Sequence, residues 1–211
     1  MSETLVIWGA SGHARVVADI VRLNGVYDIA GFIDDINPER AGELFEGSPI
    51  LGGRETLAKY RGAHLIVAFG DNEGRLAAAR IAVEHGLRLG TAIHPSAVVA
   101  ASARIGAGTV VAANAVINPG AIIGENAIVN TAASVDHDCV LGDGVHVSPG
   151  ARLAGGVVAG DCAWIGIGAV VADGRRIGRG VWIGAGAAVV SDIPDNVVAY
   201  GVPARVVRSR S

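Results

Sequence analysis

The chain has 211 residues, room for one large domain or two small ones. Half of it is apolar (51%), yet only 4% is aromatic and 31 residues are glycine. That balance suits tight turns repeated around a narrow aliphatic core. A net charge of -3, without a long run of either sign, leaves no footprint for nucleic acid or an anionic membrane.

The first stretch, MSETLVIWGASGHARVV, lacks a basic start followed by a long apolar run, because Gly, Ser and His interrupt it. Neither a signal peptide nor a membrane span is expected, and the location is expected to be cytoplasmic. Residues 4–8, TLVIW, read as a buried strand. Gly9-Ala-Ser11-Gly12-His13 makes a turn, and Val16, Val17, Ile20, Val21 and Leu23 give a helical pattern after it. Backbone N–H groups in such a turn and at the following helix start suit a phosphate. The motif is GxxGxA, so on its own it reads equally well as a tight βα turn. A second strand, Ile29–Ile33, ends in Asp34-Asp35, where an acid commonly holds a ribose hydroxyl. A third, His64–Phe69, ends in Gly70-Asp-Asn72 before a helix from Glu73 to about His85. Residues 1–92 thus amount to an α/β half-Rossmann domain, sized for a mononucleotide or nucleotide-sugar rather than NAD.

From Ile93 every sixth residue is aliphatic: Ile93, Val99, Ile105, Val111, Ile117, Ile123, Val129, Val135, Leu141, Val147, Leu153, Ala159, Ile165, Val171, Ile177, Ile183 and Val189. Sixteen of these seventeen are Val, Ile or Leu, and the residue two earlier is usually small. Neither an α-helix nor a flat strand has this period. A six-residue unit of short strand plus corner does, and three units make one triangular coil of 18 residues. Residues 93–190 therefore form about five coils of an all-β parallel β-helix, stacked about 4.8 Å apart. Residues 191–211, with Pro194 and Pro203, are expected to leave regular pairing and cap the coil end. Cys139 and Cys162, the only cysteines, read as small buried hydrophobes.

The 18-residue coil converts spacing into neighbours. His137 lies two residues past inward Val135 and so outside the core, with Asp138 beside it to orient the ring and raise its basicity. By itself that is an exposed histidine among acids. Gly155 lies one coil on in the same column, where it leaves room over the imidazole and bares a backbone N–H as a donor. Pro149, Ile167 and Ala185 form another column, mostly small or apolar, which suits an apolar ligand arm and ordinary coil packing equally. His146 is half a coil from His137, so the two should not stack within one chain. Asn130 either holds a sugar amine or hydroxyl or caps its corner. His13 either contacts a phosphate or ends its helix. His64, His85 and His94 join no constellation.

Taken together, Gly9-Ala-Ser-Gly-His13, Phe32-Ile-Asp-Asp35, Val67-Ala-Phe-Gly-Asp-Asn72, Asn130-Thr131, Asp136-His-Asp138, His146-Val-Ser148, Ala154-Gly155 and Tyr200-Gly-Val-Pro-Ala204 resemble the sialic-acid O-acetyltransferase and nucleotide-linked amino-sugar N-acetyltransferase family of hexapeptide-repeat acyltransferases. Ala14 departs from a common glycine, and Asp138 stands where some members have Glu. The resemblance implies a left-handed coil, a homotrimer, acetyl-CoA as co-substrate in the groove between coils, and a nucleotide-sugar on the N-terminal domain. It implies His137 and Asp138 as the catalytic pair. His146, at a subunit interface, together with Gly155, Ile167 and Ala185 would meet the coenzyme; Ser11, Gly12, His13, Asp34, Asp35, Gly70 and Asn130 would meet the sugar nucleotide. The expected activity is N-acetylation of a nucleotide-linked amino sugar, of the 4-amino-4,6-dideoxy class, in bacterial glycan synthesis. O-acetylation of sialic acid or another small hydroxyl acceptor is the alternative. No metal is expected, since a zinc site needs three ligands and, beyond His94, which reads as structural, only His137 and His146 lie in the coil. An ice-binding coil would need threonine columns, and the coil has only Thr109 and Thr131.

Overall fold

The computed structural model describes residues 2–210; residues 1 and 211 lie outside it. The chain divides into two compact units, one running to Pro95 and the other from Ser96 onward.

The first unit is built on β1 (Glu3–Trp8), α1 (Gly12–Asn24), β2 (Tyr27–Ile33), β3 (Leu44–Phe45), β4 (Ser48–Gly52), β5 (His64–Val67), α2 (Asn72–Glu84) and β6 (Arg88–Leu89). The sheet order is β3-β4-β2-β1-β5-β6, parallel except for the β3–β4 hairpin. The central strand β1 buries Leu5, Val6, Ile7 and Trp8, as an uninterrupted apolar run in a parallel sheet should. Its register against β2 slips between Leu5 and Val6, so that Val6 pairs with Gly31. Gly31 has φ +156, and a Cβ there would come within 2.5 Å of the Pro49 carbonyl oxygen on β4. Only glycine lets the three strands close at that bulge. Helix α2 starts on Asp71, whose side chain accepts the Gly74 N–H at 3.1 Å, an N-cap.

The second unit is a parallel β-helix. Two-residue strands recur every six residues and pair parallel with the strand 18 residues on, as Val116–Ile117 with Ser134–Val135 and then Arg152–Leu153. Three faces result. One carries Val110–Val111, Ile128–Val129, His146–Val147, Trp164–Ile165 and Trp182–Ile183; the others begin at Val98–Val99 and at Arg104–Ile105. This is the left-handed parallel β-helix that the family resemblance implies. The inward column from Val111 to Val189 is buried throughout, while Val99 and Ile105 are half-buried. Corner residues 108, 114, 120 and onward every six positions have positive φ; glycine, asparagine and aspartate fill most of them.

The tail departs from expectation. Val197–Gly201 continues parallel pairing on Trp182–Ile183, and Ala204–Ser209 folds back antiparallel on it. Pro194 precedes the first strand and Pro203 sits between the two, so neither removes a ladder N–H. No helix among the described residues is long and apolar enough to cross a membrane.

Candidate active site

Asp138 is one of the left-handed corners, with φ +58. That conformation brings adjacent side chains together: Asp138 Oδ2 lies 2.9 Å from His137 Nδ1. The other side of the residue is fixed as well. The His137 backbone N–H donates to Asp136 Oδ1 at 2.7 Å, and the same oxygen accepts Asn118 Nδ2 at 2.9 Å. The His137 carbonyl accepts the Gly156 N–H at 2.9 Å. With Nδ1 tied to Asp138, Nε2 is left to accept a proton. The hydrogen bond to Asp138, and then the charges of Asp136, Asp138 and Asp173, hold the imidazole above its usual pKa range.

The ring lies over Gly155. A Cβ built there would stand 2.6 Å from both Cε1 and Nε2 of His137. The Gly155 N–H donates to no acceptor among the described residues. The sequence-derived column is therefore the observed one.

His146 sits on a different face and is buried. Its ring stacks on Trp164, with centroids 5.3 Å apart at 22°, and Nε2 is 3.2 Å from Asn130 Nδ2. Asn130 and His146, expected in separate subsites, thus touch; Asn130 Oδ1 also accepts the Thr131 N–H, a corner contact. Trp164 Nε1–H donates to Ser148 Oγ at 2.8 Å, Trp182 packs edge-on against Trp164, and Arg210 lies 4.6 Å over the Trp182 ring. Beside this ladder runs a groove of about 490 Å³ that includes Pro149, Ile167 and Ala185. Its apolar floor and exposed Ile167 fit a pantetheine arm. Trp164 and Trp182 escaped the sequence reading, although their 18-residue spacing from His146 marks them as one outward column.

The N-terminal unit holds a pocket of about 570 Å³. Trp8, Ile33, Phe69 and Ile81 supply apolar walls, while Ser11, Asp34, Asp35 and Arg54 supply polar edges. Asp34 is already committed to its own loop: Oδ1 accepts from the Ile36 and Asn37 N–H groups, and Oδ2 pairs with Arg40 at 2.9 Å. Asp35 pairs with Arg54 at 2.7 Å. Gly12, His13 and Gly70 lie outside the lining. Gly12 is exposed in the first turn of α1, and the Gly70 carbonyl accepts Arg75 Nη1 at 3.3 Å. Burial, and then the Arg75 charge, lower the His13 pKa to about 4, so this ring is neutral. Cys139 is buried, and that burial pushes its thiol upward, away from nucleophilic use. Among the described residues no three His, Cys, Asp or Glu side chains are grouped as a metal site requires.

Residues 4–81 match the family described as the PglD N-terminal domain. A histidine variant of perosamine N-acetyltransferase from Caulobacter crescentus, solved with CoA and GDP-perosamine, is 44% identical to this chain. The match covers 97% of this chain and 96% of that one, with a TM-score of 0.92. The chain belongs to the hexapeptide-repeat nucleotide-sugar amino N-acetyltransferases. The acetyltransferase domain of PglB from Neisseria gonorrhoeae is 40% identical to this acetyltransferase over 98% of this chain and 100% of that chain, with a TM-score of 0.91. That domain has also been solved with acetyl coenzyme A. WeeI from Acinetobacter baumannii is 27% identical over 97% of this chain and 99% of that chain, with a TM-score of 0.88. A comparison with curated proteins returns no match.

Proposed function

We propose that this acetyltransferase moves the acetyl group of acetyl-CoA to the amine of a nucleotide-linked amino sugar, of the 4-amino-4,6-dideoxy class, in bacterial glycan synthesis. The observation that carries the reading is the His137 imidazole, anchored at Nδ1 by Asp138 and lying over Gly155, whose amide N–H is unengaged among the described residues.

His137 Nε2 takes the proton from the attacking amine, and Asp138 fixes the tautomer and stabilises the imidazolium. The Gly155 N–H donates to the thioester oxygen as it gains charge. The groove of Pro149, Ile167 and Ala185 carries the pantetheine arm. His146, braced by Asn130 and Trp164, flanks the coenzyme in a homotrimer. The nucleotide occupies the pocket of Ser11, Asp34, Asp35 and Arg54, with Trp8 and Phe69 beside the base. The protein works in the cytoplasm, where acetyl-CoA and sugar nucleotides are made. The relatives that hold CoA with GDP-perosamine, or acetyl coenzyme A, support this assignment.

The test is thiol release from acetyl-CoA with UDP-, GDP- and TDP-linked 4-amino-4,6-dideoxyhexoses and with free sialic acid, alongside His137→Ala. Turnover on an amino sugar that falls about 100-fold or more in the variant supports the proposal. Turnover on sialic acid alone makes the enzyme an O-acetyltransferase.

A further inference from the structure

Asp173 has no role in the scheme above. It stands in the column 137–155–173, which is fixed by hydrogen bonds from the Gly156 N–H to the His137 carbonyl and from the Gly174 N–H to the Gly155 carbonyl, both 2.9 Å. With coils about 4.8 Å apart, the α-carbons of residues 137 and 173 are about 9.6 Å apart, and the residue between them is glycine. The imidazole leans into that space. Its Nδ1 is held by Asp138, and its Nε2–Cε1 edge overhangs Gly155. The nitrogen that accepts the proton thus sits on the side of the column where Asp173 follows.

The Asp173 carboxylate is available to a ligand. The residue is exposed, and its charge is among those that raise the His137 pKa. The neighbouring cation, Arg175, donates Nε to the Asp173 backbone carbonyl at 3.0 Å and directs Nη1 to Asp192 at 4.0 Å.

We propose that Asp173 is a specificity-determining residue that receives the acceptor's ammonium group beside His137 Nε2 and so favours an amine over a hydroxyl acceptor. The inference rests on the proposed N-acetyltransfer and deepens it. An aliphatic amine is protonated at neutral pH, as the lysine side chain is with a pKa of about 10.4. A hydroxyl acceptor is uncharged. A carboxylate across the slot therefore attracts the first and offers the second only a hydrogen bond. One N–H proton of the bound ammonium passes to neutral His137 and is later released to solvent. The freed lone pair forms the N–C bond at the thioester carbon, the C–S bond breaks, and the departing thiolate takes the remaining proton lost by nitrogen.

The test uses full-length Asp173→Asn, which keeps the shape and removes the charge, and Asp173→Glu, which keeps the charge. Acetylation of the amino sugar that the wild type accepts is followed by thiol release, with its 4-hydroxy counterpart as a competitive inhibitor. The asparagine variant is expected to raise KM for the amino sugar roughly fivefold, the upper end for an exposed charge pair. KM for acetyl-CoA, the inhibition constant of the 4-hydroxy sugar and the melting temperature stay unchanged, and glutamate restores most of the loss. An unchanged amino-sugar KM in Asp173→Asn, or an equal weakening of the 4-hydroxy sugar, overturns the inference while N-acetyltransfer stands. A wild type that releases no thiol with any amino sugar overturns both.

Discussion

Replacing Gly155 by alanine isolates the placement of the imidazole. The added methyl carbon would stand 2.6 Å from His137 Cε1 and Nε2, where ordinary contact begins at 3.4 Å, so the ring must retreat by about 0.8 Å. The backbone at 155 is not left-handed, and alanine keeps the N–H, so neither strain nor loss of the proposed oxyanion donor enters. The His137 side chain is 61% exposed and can swing outward, which keeps the stability change below about 1 kcal/mol. Displacing a catalytic group by about 1 Å costs on the order of 100-fold in rate, or about 2.7 kcal/mol in the barrier. Gly155→Ala should therefore lower kcat about 100-fold with an unchanged melting temperature, measured by thiol release at saturating amino sugar and acetyl-CoA. A kcat within threefold of wild type would refute the claim that the ring must lie over residue 155.

Three further outcomes follow from other parts of the molecule. His137 must be neutral to take a proton, so kcat/KM should rise with pH through a midpoint above 6.5; Asp138→Asn removes the largest cause of the raised pKa and should move that midpoint to lower pH. His13 has a folded pKa of about 4 against 6.5 when exposed, so its contribution to stability is complete above pH 6.5 and is lost as pH falls toward 4. The loss amounts to about 3 kcal/mol, and urea midpoints of wild type and His13→Leu at pH 7.5 and 4.5 should show a smaller drop in the variant. Ala185→Trp should fill the groove beside Ile167 and raise KM for acetyl-CoA at least about tenfold without changing KM for the amino sugar; an unchanged coenzyme KM would place the pantetheine elsewhere.

The coil was legible because its period is a geometric constant. Once three hexads make a turn, residues 18 apart must stack, and Gly155 falls under His137 without any tertiary guesswork. The same rule puts Trp164 and Trp182 in one outward column with His146, but aromatic residues on an outward face lack the aliphatic regularity that marks the inward one. The N-terminal unit has no such constant. Its strands and helices follow from apolar runs and caps, but the short hairpin Leu44–Phe45 with Ser48–Gly52 is too brief for a period to show. Side-chain commitments there follow no period: Asp34 is taken up within its own loop by Arg40, Asp35 by Arg54 on a separate segment, and His13 feels the charge of Arg75 from the other helix. No local pattern distinguishes an aspartate free for a ribose from one that closes its own loop.

The arrangement at His137 also fixes an exposed residue for the proposed role of base. Burial usually fixes a side chain, but it would lower a histidine's pKa and shut out a sugar nucleotide. The coil uses its corner instead. The backbone of residue 137 is pinned by Asp136 on one side and Gly156 on the other, and the left-handed Asp138 clamps Nδ1. The ring is thereby oriented while Nε2 stays accessible. Those acids also raise the pKa, which strengthens the base but leaves more of it protonated near neutrality. A substrate that arrives as an ammonium reverses that bias: its positive charge beside the ring disfavours the imidazolium and returns His137 to the neutral form that the transfer needs. An uncharged hydroxyl acceptor supplies no such push, so the same exposed corner is better suited to amines than to alcohols.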